Sequence, residues 1–223
     1  MHDYLIDRVN DILRRAEMFG GEPALWTTFD HLYHLEGDDS GYMDLRQSWS
    51  ERNASTSTGL KGALCGLLPE NVVTNAVASM YAEAAQARTW LRLDRTLAHS
   101  EMTELRKRVH SFAAEDHSWS EVVAAFGEPS VLIGGSNRHY GKTLAYATAD
   151  ATDPMVFFHL WNGTEPGSQP SWPPARPEPV LLAIRYGSAK WPDAFVFTPQ
   201  GNRLRHHRRV SAGAVSTDGG RRK

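Results

Sequence analysis

Ser118-Trp119-Ser120-Glu121-Val122-Val123-Ala124-Ala125-Phe126-Gly127-Glu128-Pro129-Ser130 decides the fold class. Ser118 and Glu121 have the spacing of a capping box, in which each side chain satisfies the other residue's free backbone N–H. Gly127 suits the turn that closes a helix, and Pro129 keeps the helix from resuming. The stretch is therefore expected to form one short helix with Val122, Val123 and Phe126 on its apolar side. Before it, apolar residues recur at helical spacing; after it, they alternate at strand spacing. No catalytic signature accompanies this change of pattern.

Upstream, Leu5, Ile6, Val9, Ile12, Leu13 and Ala16 predict an amphipathic helix over residues 3–19, ending at Gly20-Gly21. A second, shorter helix is expected after Pro23 from the spacing of Leu25, Trp26, Phe29, Leu32 and Tyr33. The Ser/Thr/Asn/Gly-rich stretch Ser48–Gly59 is expected to be a loop. Pro69 suits a first helical turn, and the stripe from Val73 to Leu91 predicts a long helix reaching about His99. Ser100–Phe112 predicts another.

Downstream, segments 130–134, 138–148, 155–162, 180–187 and 194–198 are rich in Val, Ile, Phe, Tyr and Thr and bounded by turn residues. In the second, Tyr140, Lys142, Leu144 and Tyr146 are expected on one face, with His139, Thr143 and Ala145 on the other. Most links are too short for crossover helices, so an antiparallel meander is expected. Only Gly163–Pro179 is long, and its six prolines around Trp172 predict a stiff surface loop. The fold class is α+β: an N-terminal helical region followed by a helix-led antiparallel sheet. The expected divisions are a helical region 1–99, a sheet domain 100–202 and a basic flexible tail 203–223.

At 223 residues, with 41% hydrophobic and 22% charged content, the chain can bury a sizeable core. No apolar run approaches the length of a membrane span, and Asp3, Asp7, Arg8 and Asp11 are not expected of a secretory leader. One cysteine, Cys65, allows no internal disulfide, so the cytoplasm is the expected location. The net charge of −2 is unevenly spread: residues 1–60 carry −6 and residues 201–223 carry +6. The basic end, through Arg203–Arg209, could contact nucleic acid or an acidic partner.

Gly134–Thr143 ends in Gly-Lys-Thr like a phosphate-binding loop, yet Ser136 stands where that loop needs its first glycine. A strand pattern follows where a helix should open. A hairpin turn is therefore the expected structure. His31 and His34, with Glu36, Asp38 and Asp39 behind them, lack the further ligands of a metal site, so neither metal nor cofactor is expected. His159 shares a strand face with Phe157 and Trp161. It is either a core histidine or part of a pocket with Arg138, His139 and Lys142. In the second case His139, Lys142 and His159 would form a phosphodiesterase-like catalytic set. Trp172, Tyr186 and Trp191, together with Arg138, are the candidate binding residues, since Trp, Tyr and Arg commonly anchor partners.

Trp119, Val122, Phe126, Gly127 and Pro129, followed by the strand pattern, resemble two groups over about residues 100–200. One is a repeat of small bacterial inhibitor and lipoprotein modules, in which a helical hairpin leads into a four-stranded sheet. The other comprises cytoplasmic immunity proteins that neutralise toxins of competing bacteria. The helical first half departs from the single-repeat modules. The resemblance implies a non-enzymatic binding protein, toxin-neutralising or inhibitory, with a protein partner such as a toxin; the enzyme acting on RNA or a nucleotide phosphoester is the alternative.

Overall fold

A computed structural model describes residues 1–187 and 190–206. Seven helices precede the first strand: α1 (His2–Arg14), α2 (Gly21–Leu35), α3 (Gly41–Glu51), α4 (Gly59–Cys65), α5 (Glu70–Ala87), α6 (His99–Phe112) and α7 (Trp119–Phe126). Five strands follow: β1 (Val131–Ile133), β2 (Lys142–Tyr146), β3 (Val156–Trp161), β4 (Val180–Tyr186) and β5 (Phe195–Phe197). They form one antiparallel meander in chain order. Residues 199–206 are helical. The α+β class and the helices-then-sheet order thus hold. Among the described residues, no helix is long and apolar enough to cross a membrane.

The sheet lies between helices on both faces, which explains why β2 and β3 are buried at every position. One face carries Ala145, Phe157 and Leu182 into a core shared with α1, α2 and α5. The other carries Leu144, Phe158 and Ile184 onto Met102, Leu105 and Val109 of α6 and Val122 of α7. Sheets buried on both faces need continuous apolar strands rather than alternating ones. The Val122/Phe126 side of α7 packs on this second face, with the Phe126 ring 5.1 Å from Phe158. The capping box forms as the sequence predicts, Glu121 accepting from the Ser118 N–H at 2.7 Å.

The central helix α5 is held to the sheet by polar bonds as well as by packing. Asn75 donates to the Gly141 carbonyl just before β2 (3.1 Å), and Gln86 donates to the Thr148 carbonyl just after it (3.3 Å). The helix therefore runs alongside β2 in the same direction. A third link comes from β4, where Arg185, only 1% exposed, pairs with Glu83 at 2.8 Å and donates to the Ser79 carbonyl. Burial pulls the Arg185 pKa down, and the Glu83 carboxylate opposes that shift.

Several boundaries differ from the sequence expectation. The long helix stops at Ala87, not His99, because Thr89 takes a positive φ of 59° and turns Trp90 under α2. There the Trp90 indole donates to Glu36 at 2.7 Å and lies edge-on to Phe29 and Tyr33. The first part of the expected loop Ser48–Gly59 belongs to α3. Tyr42 and Trp49 on that helix pack onto Tyr81, which offsets the weak helix propensity of its serines. The first helix ends five residues early, and α4 was not foreseen.

The Arg185–Glu83 pair gives a direct test. Removing Glu83 leaves a buried guanidinium uncompensated, so Glu83→Ala should cost about 3 kcal/mol or more. Adding Arg185→Met should recover most of that loss. Urea unfolding of the two variants measures both effects; a single-variant loss below ~0.5 kcal/mol would place the pair among ordinary surface contacts.

Candidate functional site

The loop between β1 and β2 folds around its own lysine. Gly134 and Gly135 both take positive φ, 98° and 72°, which side-chain-bearing residues rarely adopt. Lys142 Nζ then donates to the carbonyls of Gly135 (3.0 Å) and Asn137 (2.9 Å) and lies 4.1 Å from the Trp119 ring. The lysine that mimics a phosphate-binding motif thus points into the protein and bonds carbonyls of its own loop. It makes no ion pair among the described residues, and burial lowers its pKa to about 8.

His159 is one rung away but on the opposite face. The register pairs Lys142 with Leu160 and Thr143 with His159, so period-two alternation separates the two side chains by the thickness of the sheet. His159 is fully buried; its Nδ1 meets Thr143 Oγ1 at 3.0 Å, and its ring stacks on Phe195 at 5.8 Å. Desolvation, then the nearby Arg185 charge, holds it neutral well below the usual histidine range. His139 lies in the β1–β2 loop, half-buried. The three residues of the hydrolytic alternative are therefore not assembled into one site.

The binding candidates also divide. Trp191 is buried edge-on against Phe195 at 4.6 Å, and Tyr186 is half-buried with its hydroxyl 2.9 Å from His110 Nε2. Trp172 and Arg138 share a surface. Trp172 is 66% exposed, with its ring 5.5 Å from Tyr140 and 5.6 Å from His139; Tyr140 is itself 48% exposed. The Arg138 side chain is exposed beside them. Of the basic end, Arg203 pairs with Asp116 at 3.4 Å and Arg205 covers Phe197. Residues 207–209 lie outside the described residues, as does most of the expected tail.

Asn71, Asn75 and Asn162, not singled out by the sequence, hold this surface in place. Asn162, buried at the end of β3, donates to the Arg138 carbonyl (3.1 Å) and to the Arg176 carbonyl (3.2 Å). One side chain thus ties the β1–β2 loop to the proline-rich loop. Asn71 of α5 donates to the Asn162 carbonyl at 3.0 Å. At its far end the proline-rich loop is fastened by Ser120, which donates to Glu178 at 2.6 Å.

Beside Tyr140 lies a cleft of about 470 Å³ lined by Arg15, Glu17, Met18, Asn75 and Gly134–Asn137. Asn75 is 1% exposed, and its Oδ1 has no hydrogen-bond partner. The Gly141 carbonyl can only accept, so the amide nitrogen must face it, which leaves the carbonyl oxygen as the unmet acceptor. The aromatic surface and this cleft share Tyr140 as a common wall. Among the described residues, no group of three or more His, Cys, Asp or Glu side chains is placed to hold a metal ion.

The lysine predicts a pH signature. Below about 8 both folded and unfolded chains hold its proton, and the burial cost is carried in full. Between about 8 and the ordinary value of 10.5 only the unfolded chain keeps the proton, so stability rises with pH. Relative to Lys142→Met, the wild-type chain should gain on the order of 2–3 kcal/mol across that window. Urea unfolding at matched pH values measures the difference; a pH-independent difference would contradict the buried, unpaired lysine.

Comparison with family models, with curated proteins and with solved structures returns no match.

Proposed function

We propose that this chain is a cytoplasmic, non-enzymatic binding protein of the toxin-neutralising (immunity-like) or inhibitory kind. Its contact surface is Trp172 and Tyr140 with His139 and Arg138. The observation that carries this reading is the exposed Trp172 ring, held in contact with two further rings on loops that Asn162 ties together. A single exposed aromatic on a protein surface needs no partner. Three rings meeting where two fastened loops cross are different, because the entropy of ordering them is already lost before a partner arrives. Trp, Tyr and Arg are also the residues that most often dominate binding energy. Arg138 favours a partner that brings a carboxylate to the edge of an apolar patch.

The test is capture of a partner from the cytoplasm of producing cells with the full chain, followed by titration of the purified pair. Trp172→Ala and Tyr140→Ala should each cost about 2 kcal/mol of affinity, roughly 30-fold, with no change in melting temperature. The same partner bound equally well by both variants would overturn the proposed surface. Phosphoester turnover by the purified chain that Ala at His139, Lys142 and His159 abolishes would overturn the non-enzymatic reading.

A further inference from the structure

A second recess lies in the helical half, away from the proposed contact surface. It is enclosed by the start of α2, by α3, by the turn leading into α4 and by the middle of α5, and has a volume of about 510 Å³. That is within the usual range for small-molecule sites. Tyr42, Trp49 and Tyr81 give it aromatic walls, and Trp26, 51% exposed, stands at its side. Tyr81 is braced edge-on by Phe29 and Trp49, each at 5.0 Å.

Its polar groups are unevenly committed. The Tyr42 and Tyr81 hydroxyls lie 3.0 Å apart, and burial raises both phenol pKa values, so both stay protonated. One hydrogen bond between two hydroxyls uses one of their two protons. The other has no protein acceptor among the described residues. Glu22 is the acid of the recess, but it is occupied: Oε1 accepts the Leu60 N–H at 3.3 Å, capping α4 where Thr58 supplies no side-chain cap. Arg46 and Lys61 also line the recess, close enough to act on the Glu22 charge. Neither makes an ion pair or a side-chain hydrogen bond among the described residues. The balance is two uncommitted cations and one uncommitted hydroxyl proton against a carboxylate already used as a cap.

We infer that this recess is a binding site for a small aromatic carboxylate. The planar body would lie against the Trp and Tyr walls, and the carboxylate would take the Arg46 guanidinium, whose fork matches two carboxylate oxygens. An aromatic ammonium is disfavoured by the same two cations. This site is independent of the Trp172 surface, and either can fail without the other.

Isothermal titration of the full chain with phenylacetate and indole-3-acetate tests the inference, against their amides and benzylammonium. The carboxylates should bind saturably at one site, roughly tenfold or more tighter than their amides. Arg46→Gln should lose that preference, Tyr81→Phe should weaken binding, and Trp172→Ala should leave it unchanged. Arg46 is exposed, so its replacement should not disturb folding. No saturable binding of either carboxylate into the millimolar range would overturn the site. Tighter binding of benzylammonium, or undiminished carboxylate binding by Arg46→Gln, would overturn it as well.

Discussion

The rest of the molecule depends on burying a five-stranded sheet on both faces. A meander of short strands gives the polypeptide a hydrogen-bonded plane, but strands apolar on both sides must be covered twice. The helices α6 and α7 cover one face. The other is covered by α5, where 13 of 18 residues are buried because a second layer of helices lies behind it. A helix buried nearly all round is tolerated when its side chains are small. Ala76, Ala78, Ala82, Ala84, Ala85 and Ser79 let it approach both neighbours closely. Its few buried polar residues, Asn75, Ser79 and Gln86, each bond a carbonyl or the Arg185 guanidinium, while the Asn75 Oδ1 stays without a partner.

The proposed contact surface inherits its rigidity from that helix. Asn71 and Asn75 extend from α5 to the strand ends from which the two loops depart, and Asn162 passes the constraint on to both loops. The loops are irregular, yet each has a buried donor supplied by the core. A partner meeting Trp172 and Tyr140 would therefore press on a surface backed by the sheet and α5. The buried ionisable groups have the same origin. Lys142, His159 and Arg185 lie on central strands, where the sheet leaves no route to water, and each is accommodated differently: by carbonyls, by neutrality, or by a carboxylate.

What could be read from the sequence was what is locally determined. The capping box at Ser118 and Glu121, the stop at Gly127–Pro129 and the apolar strand segments depend on residues a few positions apart, so they were legible. The end of α5 was not, because the chain turns at Thr89 so that Trp90 reaches Glu36, 54 residues away in the chain. The helix α3 was hidden by its Ser-rich composition; only Tyr81 explains why Tyr42 and Trp49 face one way. For the site, Trp172 between prolines signalled exposure. The asparagines gave no signal, since Asn is also an ordinary turn residue and its role here is visible only when each buried carbonyl is matched to a donor. The suggested grouping of Lys142 with His159 fails on register, which tertiary pairing sets: a single residue of offset sends them to opposite faces.

On this reading α5 and the sheet form one cooperative core that also supports the contact surface. Native-state hydrogen exchange of the full chain tests it most directly. Amides of α5 and of β2, β3 and β4 should exchange with one common free energy, equal to that of global unfolding. Exchange of α5 at a distinctly lower free energy, while the strands stay protected, would contradict it.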